Sequence, residues 1–293
     1  MKLFITGSES FIGARLWDMC RQAGHEVTGI DLAPPRQTGG VRLDLRDPKL
    51  TEHVPADAAV IHLAAVSTDQ LCKADPAESL DVNITGTLRV AQAARARGCP
   101  QFIFASTEWV YGDADAGQRQ SEEDAIDVTR MHGPYAFSKI VGERLLSFAG
   151  LANLTILRFG IVYGPREKNW SAVESLLEKV RQGQPLQVGS LKTSRKFIHV
   201  DDLCAGILAS IGQKGLQIFN LPGASQVTLG EIAQTSQRVL GKTVSVTETN
   251  PGGISVRNPD GSKAQRVLGW TPRVSFEDGV RQLVQYLEKR AKP

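Results

Sequence analysis

Apolar, β-branched runs of about five residues recur along the first half of the chain, each followed by a stretch whose apolar positions fall three and four apart. Lys2 to Thr6 reads as a strand, Phe11 to Ala23 as a helix stopped at Gly24, and Glu26 to Asp31 as a second strand. Val41 to Leu45 and Ala58 to Leu63 read as the third and fourth strands. A long helix fits Ser79 to Arg97, ended by Gly98 and Pro100. Gln101 to Ser106 is then a strand, Tyr135 to Phe148 a helix and Leu154 to Phe159 a strand. Strands that are almost continuously apolar and alternate with helices predict a parallel sheet covered on both faces. Right-handed crossovers make such an α/β sheet doubly wound, with ligands outside the carboxyl ends of its strands.

After Gly160 the rhythm changes. A helix over Ala172 to Gln182, a short strand near Leu186, the segment Arg195 to His199 and a helix from Asp201 are followed by shorter elements. Gly/Pro-rich stretches near Pro251 and Pro259 come next, then a final amphipathic helix over Phe276 to Arg290. The pattern predicts a first domain over 1–160 and a smaller lobe over most of 161–293, with a segment near 193–213 returning to the sheet.

Composition narrows the class. The 293 residues are 41% hydrophobic and 22% charged, with a net charge of +3 and no dense basic block, which argues against a nucleic-acid surface. The longest apolar run, near Ala58 to Val66, is far shorter than the roughly 20 residues of a membrane span. Cys20, Cys72, Cys99 and Cys204 lack paired-ligand spacing, and the five histidines are dispersed. A zinc site and a disulfide framework are therefore not expected, and a reducing, cytoplasmic setting is.

Three stations carry chemistry. The run Ile5-Thr-Gly7-Ser-Glu-Ser-Phe-Ile-Gly13 joins the first strand to the first helix, where Gly7 permits a tight turn and Gly13 a close helix–sheet approach. The helix start, Ser10, Phe11 and Ile12, offers backbone N–H groups to a pyrophosphate, with Ser10 where the usual fingerprint has its middle glycine. Asp31 ends the second strand, placed to accept hydrogen bonds from both hydroxyls of a ribose. A 2′-phosphate there would meet like charge, which favours NAD over NADP, although Arg36 lies close by in sequence. Finally, Tyr135 and Lys139 stand four apart on one helix face, where an ammonium would draw the phenol's pKa down and let it exchange a proton with an alcohol or ketone. By themselves these two read more readily as a half-buried Tyr beside a solvated Lys.

Together these stations resemble the extended short-chain dehydrogenases/reductases, the NAD-dependent epimerase/dehydratase family, over almost the whole chain. Asp44 and Leu45 match the pair touching adenine, and His62 with Leu63, Ala64 and Ala65 the strand end beneath the cofactor. Asn83 matches the helix asparagine that steadies the site. Ser106 and Thr107 precede Val110, Tyr111 and Gly112. Leu157, Arg158 and Val162 to Pro165 lead into the substrate lobe. Arg195 to Asp202, and Asp260 to Ala264 with Leu268 to Trp270, complete the order.

The resemblance implies a Rossmann fold with a C-terminal substrate-binding lobe, and a catalytic set of Thr107, Tyr135 and Lys139. It implies an NAD site of Gly7, Ser10, Phe11, Ile12, Gly13, Asp31, Asp44, Leu45, Leu63, Ala64, Ala65 and Asn83 together with Tyr135 and Lys139. Hydride transfer is expected at a sugar carbon, C4 of a nucleotide sugar foremost, with Glu108, Trp109 and Arg195 facing the substrate; Arg166 and the alternative Lys168 are cations available to it, though a solvated loop is the more ordinary reading of both. Departures keep alternatives open. Trp109 stands where dehydratases carry the second of two acids, Ile161 where nucleotide-sugar enzymes carry an asparagine, and a family arginine is absent before the C-terminal signature, Arg257 arriving later. An NAD-dependent dehydrogenase of a non-nucleotide polyol or sugar acid, and a non-catalytic NAD-binding regulator, are the other readings. A homodimer joined through the helices around Val82, Leu88, Val90, Ile140 and Leu145 is a further expectation from the resemblance.

Overall fold

The computed structural model describes residues 1–115, 117–167 and 171–291. Six strands follow the predicted order: β1 (Lys2–Thr6), β2 (Glu26–Asp31), β3 (Gly40–Arg42), β4 (Ala59–His62), β5 (Phe102–Thr107) and β6 (Leu154–Phe159). A seventh, Leu216–Leu221, pairs with β6 and closes one edge, giving the order 3-2-1-4-5-6 followed by Leu216–Leu221. Every pairing in this sheet is parallel. The order reverses between β1 and β4, so the carboxyl ends of Thr6, Asp31, His62 and Thr107 border the crevice where such sheets bind ligands.

The alternation of buried side chains explains why the strands read as continuous apolar runs. Leu3, Ile5, Ile61, Ile103 and Leu157 point to one face, packed with Trp17, Cys204 and Trp270. Phe4, Ile30, Val60, Phe104 and Ile156 point to the other, packed with Val90, Ala94 and Leu146. Both faces are therefore covered. A separate apolar cluster builds the lobe, where Leu177, Ile232 and Leu283 bring together the helices Ala172–Arg181, Leu229–Leu240 and Phe276–Ala291.

Four elements differ from the sequence expectation. The third strand stops at Arg42 rather than Leu45, because the Asp44 carboxylate accepts from the Arg46 N–H and turns the chain out of the ladder. The long helix starts earlier, at Pro76 behind the cap Asp75, and contains a π-helical stretch, Asp81–Gly86, before Thr87–Ala96. The seventh strand lies beyond the expected return segment at 193–213, which itself contributes the helix Val200–Ala209 packed against the first helix. The helix Leu229–Leu240 was not anticipated, although Thr228 and Glu231 form a capping box at its start.

Candidate active site

The first turn is shaped for close backbone approach. Gly7 has φ +73°, a conformation L side chains rarely adopt, and a Cβ at Gly13 would fall 2.0 Å from the Gly7 carbonyl oxygen. Ser10 sits in ordinary extended backbone, φ −66°, so no glycine is demanded there. Its hydroxyl accepts from the Gly13 N–H at 3.0 Å and caps the helix Phe11–Gln22. Asp31 accepts one backbone N–H on each carboxylate oxygen, from Glu9 and from Ala33, both at 2.9 Å. Each oxygen keeps a further lone-pair direction for a ribose hydroxyl.

On the other side of the crevice, Leu63, Ala64 and Ala65 follow β4 at its carboxyl end and are partly exposed. They are anchored from below. His62 is buried between Thr6 and Thr87 at 2.6 and 2.9 Å, and Thr6 Oγ1 accepts from Ala64 N–H. Thr87 donates to the Asn83 carbonyl, so it accepts from His62 Nε2–H and leaves Nδ1 to accept from Thr6. Burial, with Lys139 adding to it, holds His62 neutral by lowering its pKa to about 3. Asn83, carried by the π-helical stretch, donates to the Val66 carbonyl and accepts from the Val66 N–H at 3.0 and 2.8 Å. The same amide donates to Ser138 Oγ, which donates to the Tyr135 carbonyl, so one side chain ties the segment after β4 to the helix that carries Tyr135 and Lys139. Asp44 is less available than expected: both of its oxygens are engaged by Arg46, which lowers the Asp44 pKa and also bonds Glu78 and Asp81. Leu45 beside it is buried, against Gly86.

Thr107, Tyr135 and Lys139 converge. Thr107 ends β5 and Tyr135 opens the helix Pro134–Ser147, and the Thr107 hydroxyl is near enough to the phenol to favour its ionised form. Gly142 lets that helix sit on the sheet, since a Cβ there would lie 2.9 Å from the Phe104 ring. Lys139 is buried, donates to the Ala105 carbonyl at 2.9 Å and stands 6.0 Å from the Tyr135 ring. Burial brings its pKa down to about 8, opposed by Cys72 and Glu143. The phenol's pKa is raised, not lowered: burial outweighs the pull of the Thr107 side chain, and nearby Cys72 adds to the rise. For the protein groups alone this runs opposite to the sequence expectation: burial decides the phenol's pKa, and Lys139 gives its hydrogen bond to the strand.

Two residues that sequence reasoning did not place among the site residues lie beside them. Glu143, one turn beyond Lys139, pairs with Arg158 at 2.7 Å and accepts from Ser106 Oγ at 2.5 Å, pinning the catalytic helix to β5 and β6. Arg257 arrives from the C-terminal region, almost wholly buried, with its guanidinium 4.3 Å from the Trp109 ring centre. Among the described residues its Nε and one Nη have no hydrogen-bond partner, and its other Nη lies 3.6 Å from Asp113. Arg195 is held by the Ser255 carbonyl and hydroxyl at 2.7 and 2.6 Å, and its Nε is 3.9 Å from Glu108. Glu108 is fully buried, and among the described residues neither carboxylate oxygen has a hydrogen-bond partner. Burial pushes its pKa up to about 7 against the pull of Arg257, Arg195 and Lys196. Arg166 is brought elsewhere, into an ion pair with Glu174 at 2.9 Å and over the Phe11 ring at 4.7 Å. The alternative loop cation Lys168 lies outside the described residues.

These features can be set beside known proteins. The sequence model of the NAD dependent epimerase/dehydratase family matches residues 3–221, and the chain belongs to that family. It is 26% identical to a UDP-glucuronate 4-epimerase of Thermodesulfobacterium geofontis, over 96% of this chain and 94% of that protein. Among solved structures it resembles MoeE5 in complex with UDP-glucuronic acid and NAD, with a TM-score of 0.88, 26% identity and coverage of 99% and 100% of the two chains. A UDP-glucose 4-epimerase of Thermus thermophilus in complex with NAD gives a TM-score of 0.85 at 28% identity, covering 98% and 99%. The chain is thus an NAD-dependent enzyme, which sets aside the non-catalytic regulator. The narrow Gly7–Gly13 cradle and the doubly anchored Asp31 fit that cofactor. Among the described residues no helix is long and apolar enough to cross a membrane.

Proposed function

We propose that this enzyme acts on a nucleoside-diphosphate sugar, moving a hydride at C4 of the hexose as an epimerase or 4-keto reductase. The observation that carries the reading is the convergence of Arg195 and Arg257, both nine-tenths buried or more, where β5 delivers Thr107. Two desolvated guanidiniums repel each other, and burial lowers the pKa of both. An incoming diphosphate offsets that cost and accepts the unpaired N–H groups of Arg257. The arginine absent from its family position is thereby replaced by one reaching the site from a later loop. The UDP-sugar specificity of the similar proteins supports the same class of substrate.

In this reading Gly7, Ser10 to Gly13 and Asp31 hold the dinucleotide, with Leu63 to Ala65 and Asn83 beneath it and Asp44 and Leu45 towards the adenine. Bound NAD supplies a hydride acceptor whose positive ring stabilises the phenolate that Lys139 alone does not. Thr107 aligns the reacting oxygen, Tyr135 takes and returns its proton, and Lys139 contacts the ribose through a side chain that Ala105 already orients. Glu108 lacks the second acid that dehydration uses, since Trp109 occupies that place and stacks under Arg257. Glu108 and Trp109 instead form the wall between the sugar and the diphosphate.

Calorimetric titration with UDP, dTDP, free hexoses and hexonates tests the substrate class. A nucleoside diphosphate binding tighter than every free sugar supports the reading; a sugar acid or polyol binding tightest would replace it with the dehydrogenase that Ile161 suggests. We also propose a homodimer. Phe137, Val141, Arg144 and Phe148 share one face of the catalytic helix, and Phe137 and Phe148 are 44% and 77% exposed. Of the residues expected there, Leu88 and Leu145 are partly exposed, whereas Val90 and Ile140 are buried within the protomer.

A further inference from the structure

The Gly-rich turn contains an acidic residue that the cofactor's pyrophosphate does not call for. Glu9 is held by Arg36 at three points: Arg36 Nε donates to its carboxylate at 2.6 Å, Arg36 N–H to the other oxygen at 3.1 Å, and an Arg36 Nη to its carbonyl at 2.9 Å. The Glu9 side chain is only 2% exposed beneath an Arg36 side chain that is 65% exposed, so the arginine lies over the glutamate as a cover. Glu9 also donates its own N–H to Asp31 at 2.9 Å. The guanidinium is therefore one residue removed from the carboxylate that selects the ribose, at the rim of that site.

We propose that Glu9 is a second determinant of cofactor choice, a latch that keeps Arg36 from serving a 2′-phosphate. Asp31 and Glu9 carry two negative charges against the positive charges of Arg36 and of Arg42, which donates to the Leu32 carbonyl, so the rim has no net positive charge to draw in a phosphate dianion. An exposed arginine near a ribose ordinarily makes a bidentate phosphate site. Here its Nε and one Nη are committed to Glu9, and the preference for NAD rests on that commitment as well as on Asp31. Removing the Glu9 charge while keeping its shape loosens the hold on Arg36 Nε, leaves only the bond to the main-chain carbonyl at full strength, and makes the rim net positive.

The test is Glu9→Gln, alone and with Arg36→Ala. Each variant is compared with the wild type for the nucleotides released on denaturing the purified protein, and for NADH and NADPH affinity by fluorescence competition. Glu9→Gln should raise the NADPH-to-NADH affinity ratio by about tenfold or more, with the gain shrinking as salt rises and NADH affinity held within about threefold. Adding Arg36→Ala should abolish the gain. Arg36→Ala alone, which bares the Glu9 charge, should lower the ratio below that of the wild type and gives a reading even where Glu9→Gln disturbs the turn. An unchanged ratio in Glu9→Gln, a gain that survives Arg36→Ala, or a rise in Arg36→Ala alone would overturn the latch.

Discussion

The guanidinium of Arg257 lies 4.3 Å from the centre of the Trp109 ring, so a loop close to the C-terminus completes a site begun by the strand that ends at Thr107. Trp109 gives the arginine a flat, partly desolvated bed, and the arginine keeps two N–H groups without a partner among the described residues. Arg257→Ala should therefore weaken UDP binding by about 1–3 kcal/mol, or about five- to 150-fold, with Arg257→Lys recovering part of it. Calorimetry on the two variants checks this. UDP affinity unaffected by either change would remove Arg257 from the diphosphate site.

Asn83 makes three hydrogen bonds in a buried position, two to the backbone of Val66 and one to Ser138. Asn83→Leu strands the Val66 N–H, leaves the Val66 carbonyl only the Cys72 thiol, and takes from Ser138 the donor it accepts from. A stability loss of about 2–4 kcal/mol is expected in chemical denaturation, together with weaker retention of NAD. Loss of stability with undiminished NAD retention would mean that Asn83 braces the fold without steadying the cofactor segment.

Glu108 gives the protein a pH signature. Its carboxyl has a folded pKa of about 7 against 4.5 for an ordinary glutamate, raised mainly by burial. Between those values the folded state keeps a proton that the unfolded chain has released. The contribution to stability is thus complete below pH 4.5 and disappears as pH rises through 7. Glu108→Gln has no such proton to lose, so its melting temperature should gain on the wild type's steadily from about pH 5 to about pH 8. Parallel melting-temperature profiles would show that Glu108 does not titrate in that window.

Much of this was legible beforehand because local chemistry and global fold agree at the sheet. The strands from Lys2, Glu26 and Leu154 begin and end where their apolar runs do, and the glycine turn with Asp31 is written in β1, the loop and helix start that follow it, and the end of β2. What escaped was set by distant partners. Arg257 reaches the site through a bridge between Ser194 and Val256, a pairing that no local pattern encodes. The raised phenol pKa at Tyr135 follows first from burial of the phenol, and a one-turn spacing reveals neither that burial nor the bond from Lys139 to the Ala105 carbonyl. The helix Leu229–Leu240 was readable from its capping box; Gly230 and the polar residues of its interior masked the apolar stripe.

Phe148 projects from the end of the catalytic helix with 77% of its surface exposed, beside Arg144. Phe148→Glu should move a dimer to monomer in analytical ultracentrifugation while leaving the monomer folded, since the side chain contributes little to the protomer's core. An unchanged sedimentation coefficient would place any self-association on another surface.

On the proposed mechanism Tyr135 exchanges a proton with the hexose while Thr107 aligns the same oxygen. The most direct measurement is conversion of UDP-hexoses and UDP-hexuronates by the purified protein and by Tyr135→Phe, read by nuclear magnetic resonance of the sugar at C4. The wild type should invert or reduce one of them, and Tyr135→Phe should lose about 10²- to 10⁴-fold in turnover while retaining its NAD and its affinity for UDP. Undiminished turnover in Tyr135→Phe, or no conversion of any nucleotide sugar by the wild type, would contradict the account.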